Sequence, residues 1–211
     1  MKISEVFFSI QGEGKTAGMP RLFIRTSGCS LKCDFCDTTY HIKGHKMDSS
    51  EEKMLKKYDK WCFTGGEPML HQKEISELIS KYKPTWVEIE TNGTIKRKEL
   101  KTMNLFNISP KEKRFQPKGL NPEPILLENF KGIEKFRIVK FVYSDKKSQS
   151  FIKKIIKKYQ IENDSVWIMP EGATGKKQNA KIKEVWDFCV KNNYNLSPRL
   201  HVTTFGNKKG I

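Results

Sequence analysis

Short runs of apolar residues alternate with longer amphipathic stretches along most of the chain. The apolar runs are rich in β-branched and aromatic residues and have the length of strands. They predict strands over residues 21–26, 60–64, 86–90, 105–109, 136–143, 166–169 and 196–201. Between several of them, apolar residues recur with the period of a helix. That period predicts helices over residues 68–82, 147–159 and 176–192.

The order of these elements determines the fold class that we expect. Strands separated by helices pair in parallel through right-handed crossovers. Seven such strands are one fewer than a closed eight-stranded barrel needs. We therefore expect an α/β fold, an incomplete TIM-type barrel with mostly parallel strands, and a single domain over residues 1–211. Residues 40–60 are predicted to be an irregular linker, and residues 111–132 a long loop or insertion.

The composition narrows the class of protein. The 211 residues suit one domain with one core. No run approaches the roughly 18 apolar residues of a membrane span, and the N-terminus lacks the layout of a signal peptide. We therefore expect a cytoplasmic protein that makes no membrane contact.

The net charge of +16 fits either a nucleic-acid binder or an enzyme that attracts small anions. Most of the basic residues are lysines in scattered pairs, a pattern typical of solvated helix faces. We therefore expect no direct nucleic-acid binding.

The five cysteines are unevenly distributed, because Cys29, Cys33 and Cys36 lie close together just after a predicted strand. This spacing does not indicate a disulfide framework. It suits three irons of a 4Fe-4S cluster, with one iron left open to a chelating ligand, and it also suits zinc or inert buried thiols. The isolated Cys62 and Cys189 stand among apolar residues and are interpreted as core residues.

Glycines, prolines and polar residues follow many of the predicted strand ends. They form the segments Ser27-Gly28-Cys29, Thr64-Gly65-Gly66-Glu67, Glu90-Thr91-Asn92-Gly93, Ser109-Pro110-Lys111 and Met169-Pro170-Glu171-Gly172. In parallel α/β folds, the active site lies at this edge of the sheet.

Two of these motifs resemble the radical S-adenosylmethionine (SAM) superfamily. Cys29-x3-Cys33-x2-Cys36, with Phe35 before the last cysteine, is similar to its cysteine signature. The segment Thr64-Gly65-Gly66-Glu67-Pro68 is similar to its glycine-rich motif, which meets the amino group of SAM. The resemblance implies that three thiolates hold a 4Fe-4S cluster whose open iron binds SAM. Glycines allow close backbone approach, and a glutamate offers charge to an ammonium group.

A narrower resemblance is to the 7-carboxy-7-deazaguanine synthase family of queuosine and 7-deazapurine biosynthesis. It rests on Ser9-Ile10-Gln11-Gly12-Glu13-Gly14, Arg25, Cys36-Asp37-Thr38 and Glu90-Thr91-Asn92-Gly93, and it extends from Ser4 to Arg199-Leu200-His201. It implies a lyase that converts 6-carboxy-5,6,7,8-tetrahydropterin to 7-carboxy-7-deazaguanine by radical ring contraction, with loss of ammonia. SAM and Mg²⁺ would be required, and no side chain would act as a catalytic acid or base.

The same resemblance implies roles for individual residues. Those implied to bind the substrate are Ile10, Gln11, Gly12, Glu13, Arg25, Thr91 and His201. Those implied to bind SAM are Phe35, Cys36, Asp37, Gly66, Glu67, Gly93, Ser109, Pro110, Lys111, Met169, Pro170, Glu171 and Gly172. The implied metal ligands are Cys29, Cys33 and Cys36 for the cluster and Thr38 for Mg²⁺.

Residue chemistry agrees with some of these roles. Arg25 can grip a carboxylate through two parallel hydrogen bonds, and Gln11 and Glu13 can hydrogen-bond to the amide and amine of a pterin. A surface ion pair is the simpler interpretation of Arg25, and a turn cap is the simpler one of Thr38. Ten residues follow His201, so we do not expect Ile211 to take part.

The implied partners are the pterin substrate, an electron donor such as flavodoxin or ferredoxin, and a second copy of this chain in a homodimer. Two other functions stay open on the sequence alone. A glycyl-radical activase uses a similar cysteine loop, although residues 11–14 argue against it. A basic zinc-binding module with His41 or His45 as fourth ligand would bind RNA by stacking bases on its phenylalanines. Iron content and salt-dependent RNA affinity would separate these functions.

Overall fold

A single sheet of eight strands forms the centre of the computed structural model, which describes residues 1–36, 38, 43–100, 103–124, 137–206, 208 and 210–211. The strands follow one another in space as they do in the chain. They are β1 (Ile3–Ile10), β2 (Pro20–Thr26), β3 (Lys60–Gly65), β4 (Trp86–Thr91), β5 (Leu105–Ile108), β6 (Arg137–Tyr143), β7 (Val166–Pro170) and β8 (Asn195–Leu196). β1 and β2 are antiparallel, and each later pair is parallel.

The sheet is an incomplete TIM-type barrel, as the sequence predicts. Within the described residues, β1 and β8 do not pair with each other. Hydrogen bonds between flanking loops bridge the gap: the Gly14 amide donates to Ser197 Oγ at 2.8 Å, and the Leu200 amide donates to the Gly12 carbonyl at 3.0 Å. The loop of residues 11–19 between β1 and β2 folds into the barrel, where Gln11 and Thr16 are buried.

Alternation along each strand separates an apolar outer face from a polar inner face. On β3 and β4, Trp61, Phe63, Val87 and Ile89 belong to the hydrophobic core. The residues between them are Cys62, Thr64, Glu88 and Glu90, which contact the polar loop inside the barrel directly or through one another. The outer face is covered by helices α1 (Ser49–Lys57), α2 (Gln72–Tyr82), α3 (Lys147–Tyr159) and α4 (Gly175–Asn192). The short helix α5 (Leu200–Phe205) lies beside the loop of residues 11–19 instead, because its Leu200 amide bonds to Gly12.

Apart from the tighter start of one helix, the structure differs from the predicted elements in three places, at helix α1, at the end of β8 and at strand β1. A 3-10 turn at Pro68–His71 precedes α2, so the predicted helix over 68–82 begins in a tighter form. Over the described residues 111–124, the predicted loop contains a 3-10 turn at Lys113–Phe115 and no strand or α-helix. Residues 125–132 lie outside the described part. None of the described helices is long and apolar enough to cross a membrane.

Helix α1 corrects the prediction that residues 40–60 form an irregular linker. Asp48 caps this helix, because its carboxylate accepts hydrogen bonds from the amides of Ser50 and Glu51. The Glu51 carboxylate in turn accepts from the Asp48 amide at 2.9 Å, which completes a capping box. The apolar stripe is short, with Leu55 buried and Met54 partly buried, so hydrophobic periodicity alone gives a weak signal here.

The segment 196–201 is the second correction, because β8 ends at Leu196 and the residues from Leu200 onward are helical. Pro198 has no backbone N–H to continue the ladder. His201 was predicted to end a strand, but it lies in helix α5.

Strand β1 is the third difference, since no strand was predicted before residue 21. Its register shifts between Ile3 and Glu5, which interrupts the simple alternation that identifies a strand. β1 raises the count from seven strands to eight and supplies the antiparallel edge.

Candidate active site

A cavity of about 650 Å³ lies over the barrel interior and the carboxyl ends of its parallel strands. All seven residues predicted to bind substrate line it: Ile10, Gln11, Gly12, Glu13, Arg25, Thr91 and His201. So do four predicted metal ligands, Cys29, Cys33, Cys36 and Thr38. Of the predicted SAM set, the residues that line it are Phe35, Cys36, Gly66, Ser109, Lys111, Met169, Glu171 and Gly172. Glu67, Gly93, Pro110 and Pro170 lie outside its lining, and Asp37 is outside the described residues.

The cysteine loop follows β2 and leaves its three thiols half-buried and free of disulfides. Cys33 Sγ accepts a hydrogen bond from Gln116 Nε2 at 2.8 Å, and Cys29 Sγ accepts one from the Leu31 amide at 3.4 Å. Burial raises the pKa of the Cys29 thiol against the opposing effect of the Leu31 hydrogen bond, and Glu67, Cys33 and Cys36 raise it further. The three sulfurs therefore share one electrostatic environment, with N–H donors of the kind that surround cluster ligands.

Gly66 allows the turn after β3 to pack against this loop. A Cβ at Gly66 would lie 1.7 Å from the Gly28 carbonyl oxygen, so a larger residue cannot fit. The Gly66 amide donates to the Thr26 carbonyl at 3.1 Å, and the Glu67 amide donates to the Gly28 carbonyl at 2.8 Å. The glycine-rich turn thus fixes the base of the cysteine loop while it also lines the cavity.

The Glu67 carboxylate is enclosed by protein. It accepts hydrogen bonds from the Met69 amide at 3.0 Å, Thr91 Oγ1 at 2.7 Å and the Asn92 amide at 2.7 Å. Burial raises its pKa despite these bonds. Through these bonds, Glu67 connects the turn after β3 to the turn after β4, and both turns lie at the cavity wall.

The Gln11 side chain lies in the barrel interior with 2% of its surface exposed. Its Nε2 donates to Glu88 Oε1 at 3.3 Å and Glu90 Oε1 at 3.2 Å, and it also contacts Cys62 Sγ at 3.7 Å. Its Oε1 accepts the Glu13 amide at 3.1 Å. These partners fix which way the Gln11 amide faces.

The three acceptor atoms around Gln11 resemble a metal site, because side-chain atoms of Cys62, Glu88 and Glu90 lie within 4.8 Å of one another. Gln11 Nε2 lies within 3.7 Å of an acceptor atom on each of these residues, so its NH₂ group occupies the space that a cation would need. Cys62 is therefore buried, as predicted, but on the polar inner face rather than in the apolar core. Cys189 does belong to the apolar core.

A carboxylate surrounded by cations lies beside Gln11. Glu13 forms ion pairs with Lys140 and, at 2.7 Å, with Arg199, and its Oε1 lies 3.8 Å from His201 Nε2. Burial alone would raise the pKa of Glu13, but the charges of Lys140, Arg199 and His201 outweigh it and hold that pKa well below its usual range.

The wall near β1 contains Arg25 and the C-terminal segment. Arg25 Nε pairs with Glu5 Oε1 at 2.7 Å, which agrees with the simpler interpretation of this residue, and Arg25 also lines the cavity. Ile211 lines the cavity as well, contrary to the expectation from its distance along the chain. A Cβ at Gly12 would lie 2.1 Å from His201 Nδ1, so this glycine admits the histidine ring.

Comparison with known proteins decides the family. The family model described as a 4Fe-4S single cluster domain matches residues 10–105. The chain is 31% identical to the 7-carboxy-7-deazaguanine synthase of Halobacterium salinarum, over 96% of this chain and 89% of that protein. It is also 31% identical to the enzyme of that name from Thermoplasma acidophilum, over the whole of both chains. The chain belongs to the 7-carboxy-7-deazaguanine synthase family.

The solved structures agree with that family in fold. QueE from Escherichia coli matches with a TM-score of 0.72 at 20% identity, over 95% of this chain and 94% of that one. Streptococcus suis SuiB bound to S-adenosylmethionine matches with a TM-score of 0.54 at 15% identity, over 81% of this chain and 48% of that one. As a member of the synthase family, the chain is a radical SAM enzyme that uses a 4Fe-4S cluster and SAM.

Several polar residues that line the cavity were not among the predicted site residues, including Glu90, Asn107, Lys140 and Arg199. Lys140 is a single charge between the apolar Val139 and Phe141, a break in pattern that could have identified it. Glu90 and Asn107 are partners in the β4–β5 register, and that pairing is visible only once the strands are aligned.

Proposed function

We propose that this chain converts 6-carboxy-5,6,7,8-tetrahydropterin to 7-carboxy-7-deazaguanine with release of ammonia. The observation that carries the proposal is that three half-buried cysteines line the same cavity as the cationic side chains of Arg25, Lys140 and Arg199. The relatives from Halobacterium salinarum and Thermoplasma acidophilum are named for this product. Neither relative is named as a glycyl-radical activase or as a zinc-dependent RNA-binding protein.

The cavity residues fit the cofactors that the family implies. Cys29, Cys33 and Cys36 would hold the cluster, and all three residues line the cavity and are half-buried. When bound, the cluster and SAM supply the one-electron chemistry that starts the ring contraction. Gly66 and the residues after β5 and β7 would bind SAM, while buried Glu67 would position the turns on either side.

The substrate would bind deeper in the barrel. Its carboxylate suits Arg25, whose guanidinium can present two parallel donors. Thr91 and His201 would contact the pterin from opposite walls, and Glu13 would hold His201 and the neighbouring cations in place. The protein's contribution is orientation and exclusion of water, and no side chain is assigned as an acid or base.

Thr38 is our proposed ligand for Mg²⁺. Its side chain lines the cavity, and a hydroxyl is a hard oxygen donor of the type that Mg²⁺ accepts. Replacing Thr38 by Ala should raise the Mg²⁺ concentration needed for half-maximal turnover and leave the iron content unchanged. Turnover that does not depend on Mg²⁺ in either protein would contradict this role.

The decisive experiment is anaerobic iron and sulfide analysis of the reconstituted protein, followed by electron paramagnetic resonance of the reduced cluster with and without SAM. We expect about four irons per chain and a spectrum that SAM alters, because one iron stays open. Mass spectrometry should then detect 7-carboxy-7-deazaguanine. Cys33→Ala should lose the cluster, whereas Cys189→Ala, in the apolar core, should keep it. Zinc in place of iron would overturn the proposal.

We also propose the remaining partners that the family implies. The chain would form one domain, act in the cytoplasm as a homodimer, and receive electrons from a flavodoxin or ferredoxin. Light scattering tests the dimer, because it measures the mass directly against 24.6 kDa for one chain. Turnover with reduced flavodoxin in place of a chemical reductant tests the donor.

A further inference from the structure

A second carboxylate, Glu90, faces the cavity beside the residues that the family resemblance assigns to the substrate. It lies on the inner face of β4, is half-buried and lines the cavity. Its Oε1 accepts Gln11 Nε2 at 3.2 Å, and its Oε2 accepts Thr64 Oγ1 at 2.6 Å. One bond to each oxygen fixes the carboxylate and leaves a lone-pair site on each oxygen for a ligand.

The neighbouring polar side chains are less available to a ligand. The Gln11 amide donates to Glu88 and Glu90, and its oxygen accepts the Glu13 amide. Glu88 is completely buried. Its Oε2 accepts a hydrogen bond from Thr16 Oγ1 at 2.6 Å and lies 3.7 Å from Arg21 Nε. Of Gln11, Glu88 and Glu90, the last therefore has the acceptor surface that the cavity can use.

The product and the pterin substrate share a 2-amino-4-oxopyrimidine ring. One edge of this ring carries two adjacent donors, the ring N–H and the 2-amino group. A carboxylate accepts such a pair through two parallel, charge-assisted hydrogen bonds. In a 2-oxo analogue, an oxygen would stand where the 2-amino donor was, so it would face the carboxylate without a proton to share.

We propose that Glu90 binds the N–H and 2-amino edge of the substrate and selects 2-amino rings over 2-oxo rings. Gln11 then acts as a positioning residue, which holds Glu90 rather than the ligand. This assignment rests on the proposed function, because it takes the pterin as the substrate.

Binding of the product is the direct test, measured by calorimetry on the cluster-loaded protein with SAM present. The ligands are 7-carboxy-7-deazaguanine and its 2-oxo counterpart. We expect the wild type to prefer the 2-amino ligand by about a hundredfold, since a site built for a donor strongly rejects an analogue that lacks it. Glu90→Gln should bind the 2-amino ligand about ten- to a hundredfold more weakly and lose most of that preference.

Glu88→Gln is the matched control. Glu88 lies on the same strand and face and shares the Gln11 contact, but it does not line the cavity. We expect this variant to keep the preference for the 2-amino ligand. If Glu90→Gln folds poorly, Glu90→Asp retains the charge on a side chain one methylene shorter. It should weaken binding about tenfold, because its bonds to the ligand are longer, and keep the preference, because an aspartate still offers only acceptors.

The outcomes separate the two proposals. A Glu90→Gln protein with wild-type affinity and preference would overturn the role of Glu90 and leave the proposed function intact. An equal loss of preference in Glu88→Gln would also overturn it, because the effect would then belong to the network. A cluster-loaded wild type that binds neither ligand would overturn the proposed function and this assignment together.

Discussion

At the scale of single residues, two buried carboxyls near Gln11, those of Glu88 and Glu13, have pKa values shifted in opposite directions. Burial, followed by repulsion from Glu90, raises the pKa of Glu88 to about 7. Glu13 is also buried, but Lys140 and Arg199 keep its pKa low. Gln11 contacts both residues, because its Nε2 donates to the Glu88 carboxyl and its Oε1 accepts the backbone amide of Glu13.

The raised pKa of Glu88 predicts a stability that falls as the pH rises. Folded protein keeps the Glu88 proton up to about pH 7, whereas the unfolded chain releases it near the ordinary value of 4.5. The wild type therefore loses up to about 3 kcal/mol between these pH values from this group. Glu88→Gln should lack that loss, so its stability relative to the wild type should rise across this window in urea unfolding. A difference that is constant with pH would contradict the raised pKa.

The tight packing around Gly66 predicts that one added methyl group will strongly destabilise the protein. In Gly66→Ala the new Cβ would meet the Gly28 carbonyl, a backbone group that cannot rotate away. We expect a loss of about 3 kcal/mol or more in the free energy of unfolding of the apo-protein. Gly175→Ala is the control, because its Cβ would meet nothing nearer than 3.7 Å, and it should change stability by less than about 1 kcal/mol. Similar urea midpoints for the two variants would show that the turn can shift.

At the scale of elements, loops at the cavity are fastened to the helices behind them. The loop after β5 contains Glu112, which is buried against the start of α3. Ser148 Oγ donates to Glu112 Oε1 at 2.6 Å, and Arg114 bridges Glu112 and Asp145. This network holds the segment that includes Ser109 and Lys111 in position.

The anchor of that loop can be tested at Ser148, which is completely buried. Ser148→Ala removes a hydrogen bond to a buried carboxylate, so we expect a loss of about 2 kcal/mol in stability and weaker SAM binding. Ser80→Ala should change stability by less than about 0.5 kcal/mol, because the Ser80 hydroxyl is exposed and bonds only within its own helix. Calorimetry of both variants measures their stability and their affinity for SAM. A Ser148→Ala protein with wild-type stability and SAM affinity would contradict the anchoring role.

At the scale of the whole molecule, the open barrel is held together across its gap by loops. Gly12 and Gly14 contact the segment that follows β8, so the first and last parts of the sheet depend on each other. The inner loop of residues 11–19 contacts β3, β4 and β6 through side chains. No part of the described sheet has a core of its own.

This dependence predicts a single cooperative unfolding transition for the apo-protein. Circular dichroism at the helix band and fluorescence of the four tryptophans should give the same urea midpoint. The tryptophans lie on β3, β4, β7 and α4, so they report on distant parts of the fold. Two separated midpoints would contradict the expectation of one domain over residues 1–211.

The sequence alone determined the parallel strands, most of the helices and the cysteine loop. These features depend on local patterns, because strand alternation, helical period and ligand spacing each involve only residues that are close together in the sequence. It did not determine β1, whose register is irregular, or helix α1, whose signal was a capping box rather than an apolar stripe.

Tertiary structure decided which polar residues meet. Gln11, Glu88 and Glu90 come from segments some eighty residues apart, and their contact depends on the barrel bringing strand interiors together. Glu67 lies next to the glycines of its motif, yet packing turned its carboxylate inward while Glu90 stayed at the cavity. Sequence spacing fixed where the thiols lie relative to one another. The direction and partners of each charged side chain were fixed by the burial and hydrogen bonding that only the folded chain provides.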